Sequence, residues 1–343
     1  MTTNNCLRLI VFSLIINLCS SFQIAAQEIG SDNFAFDQNK KLGRGVNIIG
    51  YDPFWKNSGI ARMQKKHFKL IKRAGFNNVR IVIMPFKFSL KDKDFTIDSV
   101  FFTKLDWVIM QSLKNKLMAI VDFHEHNTME KDPLGNKAKF LAMWKQIAQH
   151  CRNYPKEVLF EICNEPNMKP EIWNEINIEA HNILRESNPD RTIIWGPVYG
   201  NQIKYLKELK LPVKDRNIIV AIHYYSPMQF THQGAPWSVK NKGLSGIEWK
   251  STESEELAVK IDFDMAREWS KTNNRPITLG EFGAYGKADM PSRVRWTNYI
   301  ARQAEDRGWS WSYWQFDSDF IVYDIDKDRW EKSILNALIP NKK

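Results

Sequence analysis

Cysteine is scarce in this 343-residue sequence, with 4 in all. Two of them, Cys6 and Cys19, fall in the N-terminal segment, so the remainder holds only Cys151 and Cys163. A disulfide framework is excluded as the source of stability, and a Cys151–Cys163 bridge is a matter of geometry that spacing leaves open. Cationic runs are missing too. Lys and Arg number 49 against 39 Asp and Glu, a formal net charge of +10, yet no five or six of them stand in succession. Scattered cations of the Lys65-Lys66 type read as a solvated surface, so neither nucleic acid nor membrane is predicted as a partner. No Pro/Ser-rich linker or low-complexity tract divides the chain after its N-terminal segment. No G-x-G-x-x-G follows the first apolar run, which removes the dinucleotide-binding fingerprint.

The N-terminus has the order of a secretory signal. Arg8 precedes the apolar run Leu9–Leu18, and Ala25-Ala26 offers a small-residue cleavage site before Gln27. The run is shorter than the roughly 20 residues a membrane span needs. Leu18 stands before Cys19 where a lipoprotein signal places a small residue, which disfavours lipidation. The expected organisation is a signal peptide over 1–26 and one domain over 27–343, exported from the cytoplasm. The 16 residues 27–42 are too few for a carbohydrate-binding module, and little follows Trp330.

Aromatic residues are abundant, at 13% with 13 Trp, and such a surplus often lines a cleft. Eight short apolar runs recur: Gly45–Tyr51, Asn78–Met84, Leu117–His124, Val158–Glu165, Thr192–Val198, Ile218–Tyr225, Ile277–Phe282 and Trp309–Phe316. Near-continuous apolarity suits parallel strands covered on both faces. Helical patterns lie between them. Phe140, Met143, Trp144, Ile147, Ala148 and Cys151 keep a 3.6-residue period, as do Ile172, Ile176, Ala180, Ile183 and Leu184. Lys69–Lys72 runs to Ala74-Gly75, a plausible helix stop. Eight strand–helix units predict an α/β fold, a single-domain (β/α)8 TIM barrel, with the open doubly wound sheet second.

In such a barrel the chemistry sits at the C-terminal strand ends. Those ends carry Asn47 and Tyr51, Arg80, Asp122-Phe-His124-Glu-His126, Asn164-Glu165-Pro166, His223-Tyr-Tyr225, Gly280-Glu281 and Tyr313-Trp314-Gln315. Glu165 and Glu281, on strands 4 and 7, are placed to face each other across the mouth. A buried carboxylate is costly unless paired. Two of them, one protonated and one ionised, are what glycosidic-bond hydrolysis requires. A cation such as Arg80 would keep one ionised, and that charge would keep a proton on the other.

Phe160-Glu-Ile-Cys-Asn-Glu165-Pro166 with Leu279-Gly-Glu281-Phe-Gly283 resembles glycoside hydrolase family 5, the cellulase family. Its clan carries catalytic glutamates on barrel strands 4 and 7. Gly43-Arg-Gly-Val-Asn47, Asn78-Val-Arg80-Ile, His223-Tyr-Tyr225 and Trp311-Ser-Tyr-Trp314 with Phe320 and Tyr323-Asp324 resemble its other strand ends. The resemblance implies Glu165 as acid/base and Glu281 as nucleophile of a retaining mechanism. It implies Asn164 on the sugar 2-hydroxyl, Arg80 and Tyr225 on Glu281, His124 and His223 lining the subsite, and Trp314 as its stacking platform. The implied activity is a secreted endo-β-1,4-glucanase acting on a β-linked polysaccharide or oligosaccharide, without cofactor or metal and expected to be monomeric. β-Mannanase, xyloglucanase and exo-β-glucosidase belong to the same family. A non-catalytic sugar-binding barrel is the reading from another class, and it would require the loss of one glutamate.

Other residues carry competing readings. Glu161 shares strand parity with Glu165 but reads as a hydrogen-bonded core carboxylate, Cys163 as a core filler, and His67, His150 and His181 as structural. Arg80, in an apolar run, requires a carboxylate partner. The H-x-H of His124 and His126 resembles amidohydrolase metal sites, although it ends strand 3 and not the first strand. Trp107, Trp144, Trp269 and Trp296 fall in helix patterns and read as core. Trp55, Trp173, Trp237, Trp249 and Trp314 fall in loops or at strand ends and are subsite candidates. The long loop 226–252, with His232 and Trp237, reads as a wall of the cleft.

Overall fold

The structure is a computed structural model and describes residues 34–340. The proposed signal peptide, its cleavage site, Cys6 and Cys19 lie outside the described residues. Eight parallel strands close into a barrel in chain order: β1 (Arg44–Ile48), β2 (Asn78–Ile83), β3 (Met118–Phe123), β4 (Val158–Glu161), β5 (Ile193–Trp195), β6 (Ile218–His223), β7 (Ile277–Glu281) and β8 (Ser310–Tyr313). Closure comes from β8 pairing with β1, Gly45 opposite Ser312. Seven lie inside their predicted runs and β1 starts one residue before its run, at Arg44, so the architecture is a single-domain (β/α)8 barrel. The runs overshoot at their C-terminal ends because those residues leave the ladder to build the mouth.

Two-sided burial explains the apolar runs. All six residues of β2 are buried. Val79, Ile81 and Ile83 pack outward among the surrounding helices, while Asn78, Arg80 and Val82 have the opposite parity and face the lumen. The helix Pro133–Cys151 buries the six residues whose period predicted it. The helix Lys65–Ala74 stops at Gly75, whose φ of 105° only glycine adopts without strain.

The residues before β1 do more than lead in. Phe34–Leu42 forms a helix across the N-terminal end of the barrel. Ala35 and Leu42 pack against Met118, Ile120, Leu159, Ile194, Ile219 and Ala221. Asn39 Nδ2 donates to the Ile277 carbonyl at 3.0 Å, and Asn39 Oδ1 accepts from Ser310 at 2.6 Å. This plug closes one end, so only the C-terminal face is left for a site. Cys151 and Cys163 are both buried free thiols. Among the described residues, no helix is long and apolar enough to cross a membrane.

Candidate active site

Arg80 is the hub of the barrel mouth. It is fully buried, and every one of its five N–H groups is used. Nε and Nη2 reach Glu161 at 2.6 and 2.9 Å, Nη1 reaches Asn47 Oδ1 and Glu281 Oε1 at 2.9 and 2.7 Å, and Nη2 also reaches Asn164 Oδ1 at 2.9 Å. The predicted carboxylate partner is thus two hydrogen-bonded glutamates, with Asp122 a third anion at 3.2 Å. Glu161 is the core carboxylate expected of it. Asn47 is held in turn, its amide donating to the carbonyls of Gly280 and Ser312 at 3.1 Å each.

A bulge aims Glu281. Ile222 pairs with Leu279 but His223 pairs with Glu281, so Gly280 is the extra residue on β7. A Cβ at Gly280 would lie 2.8 Å from His223 Nε2, which is why this position is glycine. Glu281 then takes a proton donor on each oxygen, Arg80 on Oε1 and the Tyr225 hydroxyl on Oε2 at 2.9 Å. Burial pushes the Glu281 carboxyl up, and the nearby Glu165 charge adds to this; His223 and Arg80 pull against it.

Glu165 is placed differently. It follows β4 with a φ of 41°, a left-handed conformation of the kind found at functional sites. Its side chain is 28% exposed, against 6% for Glu281. His223 Nδ1 donates to Glu165 Oε1 at 2.8 Å, and Asn201 Nδ2 lies 3.3 Å from His223 Nε2, which sets the tautomer. Burial lowers His223 to about 4, so the ring is neutral near pH 7. Atoms of Glu165, His223 and Glu281 lie within 4.8 Å of one another. Close carboxylates of this kind fit the retaining arrangement, in which the groups are about 5 Å apart. A divalent ion fits poorly here: both Glu281 oxygens are taken, and the Arg80 cation is 2.7 Å away.

Beside the pair, His124 Nδ1 lies 2.6 Å from Asp122 Oδ2, and its ring stacks on Trp314 at 5.6 Å and 10°. Asn164 Nδ2 is 3.3 Å from His124 Nε2 and 3.1 Å from His126 Nδ1. Burial lowers both imidazoles to about 4. Burial pushes Asp122 up to about 7, with Arg80 opposing. Glu125, between the two histidines, turns away to accept from Phe86 N and Thr128. The H-x-H therefore serves an amide and a carboxylate.

The tryptophan candidates divide unevenly. Trp237 is 46% exposed and Trp314, at the mouth, 6%. Trp55, Trp173 and Trp249 are buried, which corrects the expectation for these three. Trp55 stacks on Phe101 at 5.5 Å and donates to the Val82 carbonyl; Trp173 is on the helix Pro170–Ser187 and donates to the Gly196 carbonyl. The indole N–H groups of Trp55 and Trp173 thus find their partners inside the core. Of the four expected core tryptophans, Trp144 and Trp296 are fully buried, and Trp107 and Trp269 are partly buried against the core. The histidines expected to be structural have structural partners: His67 helps cap its helix, His150 pairs with Asp106 and His181 with Asp215.

The loop after β6 is held from within. It carries one short turn of helix, Met228–Thr231, and Gln233 bridges the Phe230 carbonyl and both backbone groups of Ile247. His232 backs the Tyr225 ring at 5.0 Å, and Trp237 meets Tyr285 at 4.9 Å and Phe320 at 6.3 Å. A continuous aromatic wall thus runs from Tyr225 to Trp237. Beside Glu165 a cleft of about 440 Å³ is lined by Tyr225, Gln202, Lys204, Met228, Ser226 and Asp262. The sequence singled out Arg80, His124, Asn164, Glu165, His223, Tyr225, Glu281 and Trp314, and all eight meet at this mouth. It gave no role to Asp122, Asn47 or Asn201, and to His126 only the metal reading of the H-x-H. Asp122 and Asn47 had a signal, a polar residue of lumen-facing parity inside an apolar run; Asn201 ends the short helical turn Val198–Asn201 after β5 and had none.

Comparison with known proteins agrees with this fold. Residues 39–319 match the family model described as Cellulase (glycosyl hydrolase family 5). Endoglucanase H of Acetivibrio thermocellus is 32% identical over 316 residues, covering 88% of this chain, which spans only 33% of that relative. Thermotoga maritima Cel5A in complex with cellobiose is 41% identical with a TM-score of 0.85, covering 89% of this chain and all of that one. The same Thermotoga maritima protein in complex with mannotriose gives 40% identity and a TM-score of 0.85, with 89% and 100% covered.

Proposed function

The chain belongs to glycoside hydrolase family 5, and on that premise we propose that it is an exported retaining endo-β-1,4-glucanase with Glu165 as acid/base and Glu281 as nucleophile. The observation that carries the assignment is the asymmetry between the two glutamates. Glu281 is buried with a donor on each oxygen, and these donors support its anion against the burial that pushes its carboxyl up. Glu165 has one histidine partner and a side chain open toward the cleft, where a leaving group can reach it.

In the first step a Glu281 oxygen attacks the anomeric carbon as the glycosidic C–O bond breaks. The Glu165 proton goes to the departing oxygen. Glu281 has then spent its charge in an ester. In the second step Glu165 takes a proton from water as that oxygen attacks the same carbon, and the ester bond breaks. Two inversions give retention. Arg80 and Tyr225 hold the nucleophile's geometry, and His223 keeps Glu165 close to it. His124, Asn164 and Trp314 line the ring under attack, and His232 and Trp237 belong to the wall along which the chain lies. These steps need no cofactor.

Endoglucanase relatives and the cellobiose complex support a β-glucan substrate. The mannotriose complex of a similar chain supports mannan as the second choice. Export rests on the signal-like order of residues 1–26, and action as a monomer on the completeness of the site within one chain. Both glutamates are present, which disfavours a binding-only barrel. The test is trapping with a 2-fluoro cellooligosaccharide. Peptide mapping should find the adduct on Glu281, and Glu165→Gln and Glu281→Gln should each lose hydrolysis while keeping fold and sugar binding. An adduct elsewhere, or near wild-type activity in either variant, rejects the assignment. A panel of carboxymethyl-cellulose, β-glucan, xyloglucan, mannan and xylan with product sizing decides substrate and endo action.

A further inference from the structure

Asp122 stands on β3 two residues before His124 and is wholly buried. All the N–H groups of Arg80 are spent on Glu161, Asn47, Glu281 and Asn164. Arg80 therefore holds Asp122 Oδ1 at 3.2 Å by charge alone, and that oxygen has no hydrogen-bond donor. The hydrogen bond Asp122 does make is accepted by Oδ2 from His124 Nδ1, at 2.6 Å. An imidazole that gives its Nδ1 proton to a carboxylate presents a bare Nε2.

What faces that Nε2 is also fixed. Arg80 donates to Asn164 Oδ1, which settles which way round the amide lies. Both Asn164 hydrogens then point at acceptors, His124 Nε2 at 3.3 Å and His126 Nδ1 at 3.1 Å. With the proton on Nε2, the His124 ring would oppose an N–H to the N–H of Asn164. A sugar hydroxyl that donates to the ring would lose its acceptor as well.

We propose that Asp122 is a positioning residue for glycosidic hydrolysis. It fixes the tautomer and plane of His124, and through His124 it holds the Asn164 amide against the sugar under attack. The role in hydrolysis rests on the assignment of Glu165 and Glu281, whereas the tautomer does not. Misplacing a positioned group by about an ångström costs on the order of a hundredfold in rate. Asp122→Asn, close to isosteric, should therefore lower kcat about a hundredfold with little change in KM, because ordinary binding along the cleft is untouched.

The experiment joins kinetics to 15N NMR of the histidine side chains. Spectra are read at pH 8, above the value of about 7 to which burial pushes Asp122. In the wild type, His124 should carry its proton on Nδ1; in Asp122→Asn it should show a mixture. A wild-type His124 protonated on Nε2 overturns the proposal without any variant. So does an Asp122→Asn variant within twofold of wild-type kcat, or one whose lost activity matches its unfolded fraction by circular dichroism. Activity surviving in Glu281→Gln would overturn the catalytic assignment and the role in hydrolysis together, while an Nδ1 proton on His124 would still leave Asp122 as the group that orients the ring.

Discussion

Arg80 Nη1 donates to Glu281 Oε1 across 2.7 Å, with both side chains closed off from solvent. The same guanidinium spans Glu161 with two parallel hydrogen bonds and reaches Asn47 and Asn164. A lysine has the charge but not the planar fork. Arg80→Lys should abolish measurable hydrolysis and destabilise the fold by about 3 kcal/mol, as breaking a buried ion network does. Chemical denaturation alongside reducing-sugar release checks both. A variant with wild-type stability would mean that the network contributes nothing to folding.

The Tyr225 hydroxyl is the second donor to Glu281, at 2.9 Å. Burial already pushes this carboxyl above its ordinary 4.5. The ionised form is the nucleophile, so activity falls as pH falls through the Glu281 titration. Removing a donor to the charged form raises the pKa further. Tyr225→Phe should therefore shift the acid limb of the kcat/KM profile to higher pH and leave less activity on its acid side. That profile reports groups in the free enzyme. An unmoved limb, or one moved to lower pH, would show that the hydroxyl does not support the anion.

Gly280 tests the bulge. Alanine there would bring Cβ to 2.8 Å from His223 Nε2 and 3.1 Å from Cδ2. His223 is packed and has no free direction, so it must leave Glu165 or the β7 backbone must move. Either displacement should cost on the order of a hundredfold in kcat. Gly280→Ala should remain a folded barrel by circular dichroism. Retained activity would place the bulge among neutral features of the strand.

How far the sequence reached depends on where the information lies. Strand cores were legible because both faces of β2 and β3 are buried, so no polar residue interrupts the outward side. Glu165, Glu281 and Arg80 were legible because charge inside such runs demands a partner. Trp55, Trp173 and Trp249 misled because an indole in a loop or near a strand end looks the same in sequence whether its N–H meets a sugar or a carbonyl such as that of Val82. The helix Phe34–Leu42 was not foreseen: its buried face holds Ala35, Gln38, Asn39 and Leu42, two of them polar, so it shows little apolar stripe. Asn201 acts on His223 from the short helical turn after β5, and no periodicity points to such a contact.

The aromatic wall makes a prediction that separates binding from folding. Trp237 is 46% exposed and meets the Tyr285 ring edge-on at 72° and the Phe320 ring at a tilt of 42°. Its truncation should leave the barrel folded, since Trp237 belongs to none of the buried core clusters. Loss of a sugar-stacking face should raise KM for long oligosaccharides by about tenfold, the equivalent of about 1.4 kcal/mol. Trp237→Ala should spare short aryl glycosides that occupy only the ring next to Glu281. Equal effects on long and short substrates would place Trp237 outside the binding path.

Acid stability has a source remote from the barrel mouth. Asp215 accepts from His181 Nε2 at 2.6 Å and from Arg185 Nε at 2.7 Å, far along the chain from the strand-end glutamates. Burial would raise its pKa, but those hydrogen bonds outweigh burial and lower it from 3.8 to about 2. A carboxyl held lower in the folded state binds fewer protons than the unfolded chain between those two values. Its contribution is therefore complete above about pH 4 and is lost as pH falls toward 2, amounting to about 2 kcal/mol. Asp215→Asn should be less stable than wild type by about that amount at pH 7, with the gap closing near pH 2. Urea unfolding at both pH values checks this. A gap that stays constant with pH would show that Asp215 stabilises the barrel by packing and not by its charge.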